Sequence, residues 1–143
     1  MIRINIYNSA MKQSAVKKYG TIDTWDTSTI TDMSSLFKDK QTFNEDISNW
    51  DVSNVTNMSN MFYGAIAFNQ NLSGWNVSSV TNMGGLFFGA TVFNGDISNW
   101  DVSNVTSMFN MFMTASNFNQ DISAWDISNV TNFGYMFYGW SYE

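Results

Sequence analysis

The sequence predicts an α/β solenoid in which each 25-residue repeat supplies one short strand and one short helical turn, stacked behind an N-terminal strand–helix cap. Three observations predict it. Tryptophan recurs at residues 25, 50, 75, 100 and 125, a fixed step of 25. The phrase DISNWDVSNV stands at 46–55 and again at 96–105, with DISAWDISNV at 121–130 and NLSGWNVSSV at 71–80. Within each copy the apolar spacing changes from two to three or four, the shift expected when a strand gives way to a helical face.

Residues 1–20 lie outside the repeat and read as the first cap: IRINIY alternates like a strand, and SAMKQSAVKKYG reads as a short helix ending at Gly20. The copies then run 21–45, 46–70, 71–95, 96–120 and 121–139. In each, Trp50 and Val52 or their equivalents alternate as on a half-buried strand. Val55, Met58, Met61 and Phe62 are spaced as on one helical face, with Thr56 placed to cap that turn and Gly64 or Gly89 to end it. Phe43, Phe68, Phe93 and Phe118 close the copies, each followed by an asparagine whose amide can join a ladder between coils. Residues 140–143 form a tail or rudimentary cap, with Trp140 where three earlier copies have alanine. A single copy cannot bury its own apolar face, so the Trp25, Trp50, Trp75, Trp100 and Trp125 column is read as core that only stacking can shield.

Composition narrows the function. The chain of 143 residues has no cysteine and no histidine, which removes disulfides, thiolate metal sites and the commonest general base. Proline is also absent. Residues 1–20 carry Arg3, Lys12, Lys17 and Lys18 and no acid, whereas residues 41–143 carry eight acids and no cation. That balance argues against phosphate-backbone binding, so no nucleic-acid partner is expected. No apolar run is long enough for membrane insertion, and no signal peptide is visible.

The unit DISNWDVSNVTNMSNMFYGAIAFNQ resembles the BspA-type repeat of bacterial surface proteins, also catalogued as a mycoplasma lipoprotein domain of unknown function. AVKKYGTIDTWDTSTITDMSSLF resembles the entry cap and first repeat of such proteins, and the likeness covers about residues 15–139. The resemblance implies a right-handed, leucine-rich-repeat-like coil stack. It also implies adhesion or partner binding without enzymatic activity, at a cell surface, secreted or on a virion. Ile47, Trp50 and Val52 fit L-x-x-L-x-L, although Val55 occupies the ninth position, where that pattern expects asparagine.

If Trp50 and Val52 point inward, their neighbours point outward. The expected binding face is therefore Asn49, Asp51, Ser53, Asn76, Ser78, Asn99, Asp101, Ser103, Asp126 and Ser128, a polar and acidic strip for a protein or glycan on a host or neighbouring cell. The competing readings are a structural rod or spacer, a self-associating scaffold that dimerises through its ends, and aspartates that only cap turns. A calcium ladder would need more oxygens than one or two carboxylates per copy, so no metal or other cofactor is expected. Regular repetition does not build one asymmetric pocket, and no catalytic residue is assigned.

Overall fold

One helix, α1 (Ser9–Tyr19), precedes the repeats in the computed structural model, which describes residues 9–139. Lys17 and Lys18 sit in its last turn, where cations complement the helix dipole. Gly20 ends it in the left-handed conformation (φ +75), its N–H donating to the Val16 carbonyl at 3.0 Å. A single 3₁₀ turn, Ile22–Thr24, then leads into the first copy. The strand expected over IRINIY and the tail over 140–143 lie outside the described residues.

Beyond Thr24 the expected α/β solenoid is not there. The described residues contain no strand and no further helix, only isolated parallel bridges linking Asp32, Asn57, Asn82, Ser107 and Asn132. With no sheet, the leucine-rich-repeat comparison fails too. Each copy is instead a run of tight turns closed by i→i−3 bonds. In the second copy the donors are Trp50 to Ile47 O (3.1 Å), Val55 to Val52 O (2.9 Å), Met61 to Met58 O (3.1 Å), Tyr63 to Asn60 O (3.2 Å), Ala65 to Phe62 O and Phe68 to Ala65 O (both 3.0 Å). Most of these turns have apolar first and fourth residues directed inward, as in Val52-Ser53-Asn54-Val55. That spacing of three imitates a helical face, but two features exclude a helix. Asn60 (φ 56) and Gly64 (φ 66) are left-handed, and alternate N–H groups leave the coil instead of bonding i−4.

Those outward N–H groups hold the copies together. Met58, Asn60, Phe62 and Gly64 donate to the carbonyls of Asn82, Gly84, Leu86 and Phe88 in the next copy at 2.7–2.9 Å, and the pattern recurs at every joint. The turn segment thus presents donors toward the C-terminal side and acceptors toward the N-terminal side. Threonine runs the other way. Thr56 donates its N–H (2.8 Å) and its hydroxyl (3.2 Å) back to Thr31 O, and Thr81, Thr106 and Thr131 repeat the rung. Thr56 is therefore a cross-coil rung and not a helix cap. Gly64 and Gly89 end no helix; they fill a left-handed corner that Asp39, Thr114 and Gly139 occupy in the other copies. Local turns and inter-copy rungs thus supply this backbone's hydrogen bonds without regular secondary structure.

Aromatic files fill the interior. Phe37, Phe62, Phe87, Phe112 and Phe137 stack at 5.5–5.7 Å between centroids. Phe43, Phe68, Phe93 and Phe118 stack beside them at 5.7–5.9 Å. The tryptophans form one file, with Trp75, Trp100 and Trp125 nearly parallel at 6.5 Å steps. From Trp50 to Trp125 each indole N–H reaches back one copy: Trp50 to Ile22 O (2.8 Å), Trp75 to Ile47 O (3.1 Å), Trp100 to Leu72 O (3.0 Å) and Trp125 to Ile97 O (3.2 Å). Each of those carbonyls also closes its own local turn, so it accepts twice. Where later copies have Val52, Val77 or Val102, the first has Thr27, almost fully buried, whose hydroxyl donates to Asp51 O at 2.9 Å.

Candidate functional site: the capped turn corners

The short phrase Asx-apolar-Ser recurs three times inside one copy: Asp46-Ile47-Ser48, Asp51-Val52-Ser53 and Asn57-Met58-Ser59. In each, the Asx Oδ1 accepts the serine N–H, at 2.9, 2.9 and 3.0 Å respectively. This is an Asx-turn, which sets up the corner that follows. The 25-residue repeat is thus built from smaller cells of one type, a signal present in DISNWDVSNVTNMSNM that a search at the longer period overlooks. Gly84 and Gly134 show that the cell needs the N–H and not the serine hydroxyl, since both donate to the asparagine two residues earlier.

The proposed contact residues fall on these corners. Asp51, Asp101 and Asp126 are exposed, and each accepts the N–H of Ser53, Ser103 or Ser128. The hydroxyls of Ser53 and Ser103 add second bonds at 2.6 and 2.7 Å. Asn76 plays the same part for Ser78, through the N–H at 3.1 Å and the hydroxyl at 2.7 Å. Asn99 donates to Ser73 O in the preceding copy at 2.8 Å, as Asn54, Asn104 and Asn129 do to Ser28, Ser78 and Ser103. Asn49 is exposed; Ser53, Ser78 and Ser103 are half-buried, and Ser128 is exposed. These residues therefore lie at corners of turns and not on a strand, and the bonds they make serve the fold. The asparagine ladder is also present: Asn69, Asn94 and Asn119 donate their N–H groups to Oδ1 of Asn44, Asn69 and Asn94, all at 2.8 Å.

The serine bonds stabilise the ionised carboxylates. Asp26, Asp32, Asp46, Asp51, Asp96, Asp101, Asp121 and Asp126 are all held below the ordinary aspartate value of 3.8. The serine side chain is the largest cause at Asp26, Asp32, Asp51, Asp101 and Asp121, and the serine backbone at Asp46, Asp96 and Asp126. Repulsion from Asp26 on Asp51, and from Asp126 on Asp101, is the smallest contribution. A carboxylate that titrates lower when folded stabilises the fold above its unfolded value and loses that effect as pH falls through the folded one. The melting midpoint is therefore expected to stay level from neutral pH to about 5 and to drop on acidification below 3.8. A midpoint that rises in acid would show instead that relief of the net charge of −6 outweighs the corner bonds.

No buried side-chain polar atom lacks a partner, and no three carboxylates gather as a metal cluster, among the described residues. No helix among them is long and apolar enough to cross a membrane. The arrangement offers a rigid, exposed series of anionic and amide groups at a fixed pitch over a sealed aromatic interior. It is a repeat protein built from stacked, Asx-capped turn coils. The chain belongs to the family described as "Mycoplasma protein of unknown function, DUF285", which matches residues 5–96 and again residues 71–142. The two overlapping matches agree with the internal repetition. No curated protein and no solved structure matches the chain.

Proposed function

We propose that the chain is a non-enzymatic binding module whose acidic turn corners receive a cationic surface of a partner protein. The observation that carries this reading is the pairing of charge with exposure. Asp51, Asp101 and Asp126 are exposed and held ionised, in a stretch from 41 to 143 that contains no lysine or arginine. Corners fixed by hydrogen bonds lose little freedom on binding, which favours recognition. The resemblance to BspA-type surface repeats supports a role outside the cell, in adhesion or partner capture, and glycan recognition is a narrower version of the same reading.

Lysine substitutions would confound a test, because they remove the Asx acceptor along with the charge. Asparagine does not, since Asn76 already fills this place in the third copy with both serine bonds intact. The triple variant Asp51→Asn, Asp101→Asn, Asp126→Asn is therefore expected to fold normally at neutral pH. Its affinity for an immobilised lysine-rich peptide should fall at least tenfold at low salt, with a shallower salt dependence. Equal capture by parent and variant would favour the other reading, a rod or spacer whose polar corners serve the fold alone. That reading draws on the same bonds, because every aspartate at these corners is already occupied by a serine.

A further inference from the structure

One junction of the asparagine ladder differs from the rest. Asn44, Asn69 and Asn119 are followed by Glu45, Gln70 and Gln120, but Asn94 is followed by Gly95, the single Asn-Gly pair in the sequence. A Cβ at Gly95 would run into the Gln70 carbonyl and lie 2.9 Å from the Phe93 ring, a close approach that only glycine permits. Asn94 Oδ1 accepts the Asn119 N–H at 2.8 Å and Gln120 Nε2 at 3.0 Å, both from the following copy. By contrast, Asn94 Nδ2 and the Gly95 N–H donate to no group among the described residues. Asn94 is exposed and Gly95 half-buried, so water reaches the junction.

We propose that Asn94 and Gly95 form a self-modification site, at which the folded chain converts the Asn94 amide to a carboxylate. The Gly95 nitrogen gives its proton to hydroxide and bonds to Asn94 Cγ, and the carbonyl electron pair moves onto Oδ1. That oxygen then lies between two N–H donors at the spacing that stabilises an oxyanion in acyl transfer, about 2.7–3.1 Å. As the pair returns, the Cγ–Nδ2 bond breaks, and the nitrogen takes a proton from water and leaves as ammonia. Water opens the cyclic imide at either carbonyl, giving aspartate or isoaspartate. The balance is amide plus water to acid plus ammonia, and no oxidant is needed. Asn44 has the same two donors, the Asn69 N–H and Gln70 Nε2, but Glu45 sets a side chain beside the attacking nitrogen. The aspartate product keeps the Oδ1 acceptor and adds an anionic group to a stretch that has no cation. Isoaspartate instead lengthens the main chain between the third and fourth copies.

The test uses the full chain in heavy-oxygen water at mildly alkaline pH, where each conversion leaves a labelled carboxyl that peptide mapping can place. Label is expected to gather at Asn94, with Asn44, Asn69 and Asn119 far behind, and to gather faster in the folded chain than in guanidinium. An Asn-Gly pair that reacts through its sequence alone has the opposite order, because a fold restrains the turn that cyclisation needs. Gln120→Ala removes one donor, and Gly95 shows that a copy keeps its place without that amide. The variant should keep the parent's circular dichroism spectrum, label about tenfold more slowly when folded, and match the parent when unfolded. A folded parent that labels no faster than the unfolded chain would overturn the proposal, whatever the variant does. So would a folded Gln120→Ala chain that labels at the parent's rate.

Discussion

Replacing Trp75 with alanine is expected to lower the stability of the chain by about 3–5 kcal/mol, enough to consume much of the margin of a domain this size. The indole is 4% exposed, stacks on Trp100 at 6.5 Å and packs against Phe62 at 6.4 Å. Removing it empties the middle of a file that has neighbours on both sides, and flat rings stacked along one axis cannot collapse into the gap. Trp75→Phe separates the two contributions. It keeps most of the ring volume but deletes the bond to Ile47 O at 3.1 Å. That carbonyl still accepts the Trp50 N–H, so it is not stranded, and the loss of the bond should cost only about 1 kcal/mol. Urea unfolding of both variants checks the order. An alanine variant within about 0.5 kcal/mol of the parent, the range of ordinary surface substitutions, would mean the tryptophan file is not core.

Deleting 25 residues should do less harm than deleting one. Excision of residues 71–95 joins Gln70 to Asp96, which is the junction Gln120 makes with Asp121. Every donor of the second copy then meets the fourth copy at the same offset, and the protein loses one joint while keeping its pattern. Such a shortened chain should melt cooperatively at a lower midpoint, as stacks of repeats do. Deletion of Ser59 alone is expected to abolish the cooperative transition. It moves Asn60 and Phe62 by one place, so N–H groups that should reach Gly84 and Leu86 turn inward and apolar side chains turn outward. Circular dichroism melts of the two deletions decide the matter. A single-residue deletion that melts higher than the whole-copy deletion would show that the ladder tolerates slippage and that register is not what holds the coils.

Much of the candidate site was legible before the structure. The step between tryptophans, the outward placement of Asp51 and Asp101, and the asparagine ladder all follow from residues that recur at one interval. What was misread was the element between them. Val55, Met58 and Met61 are spaced by three, and a helical face and a chain of tight turns demand the same spacing, because both return the chain to the same side after three residues. Thr56 was open to the same confusion, since a hydroxyl that can cap a helix can equally reach a carbonyl one coil away. The clue lay in Asp46, Asp51 and Asn57, turn-starting Asx residues that recur too closely for a helix to run between them.

Composition and periodicity alone therefore determined which residues are inside, which are repeated, and that the copies must lie on one another, because burial depends on side-chain chemistry and each copy is too small to shield itself. They left open whether the backbone would satisfy its N–H groups along the chain or across it. Only the tertiary structure decides that. Left-handed corners at Asn60, Gly64 and their equivalents turn alternate N–H groups toward the next copy, and their acceptors lie 24 residues away. A donor with a distant partner leaves no trace in local spacing, so the missing helix could not be read from the residues by themselves.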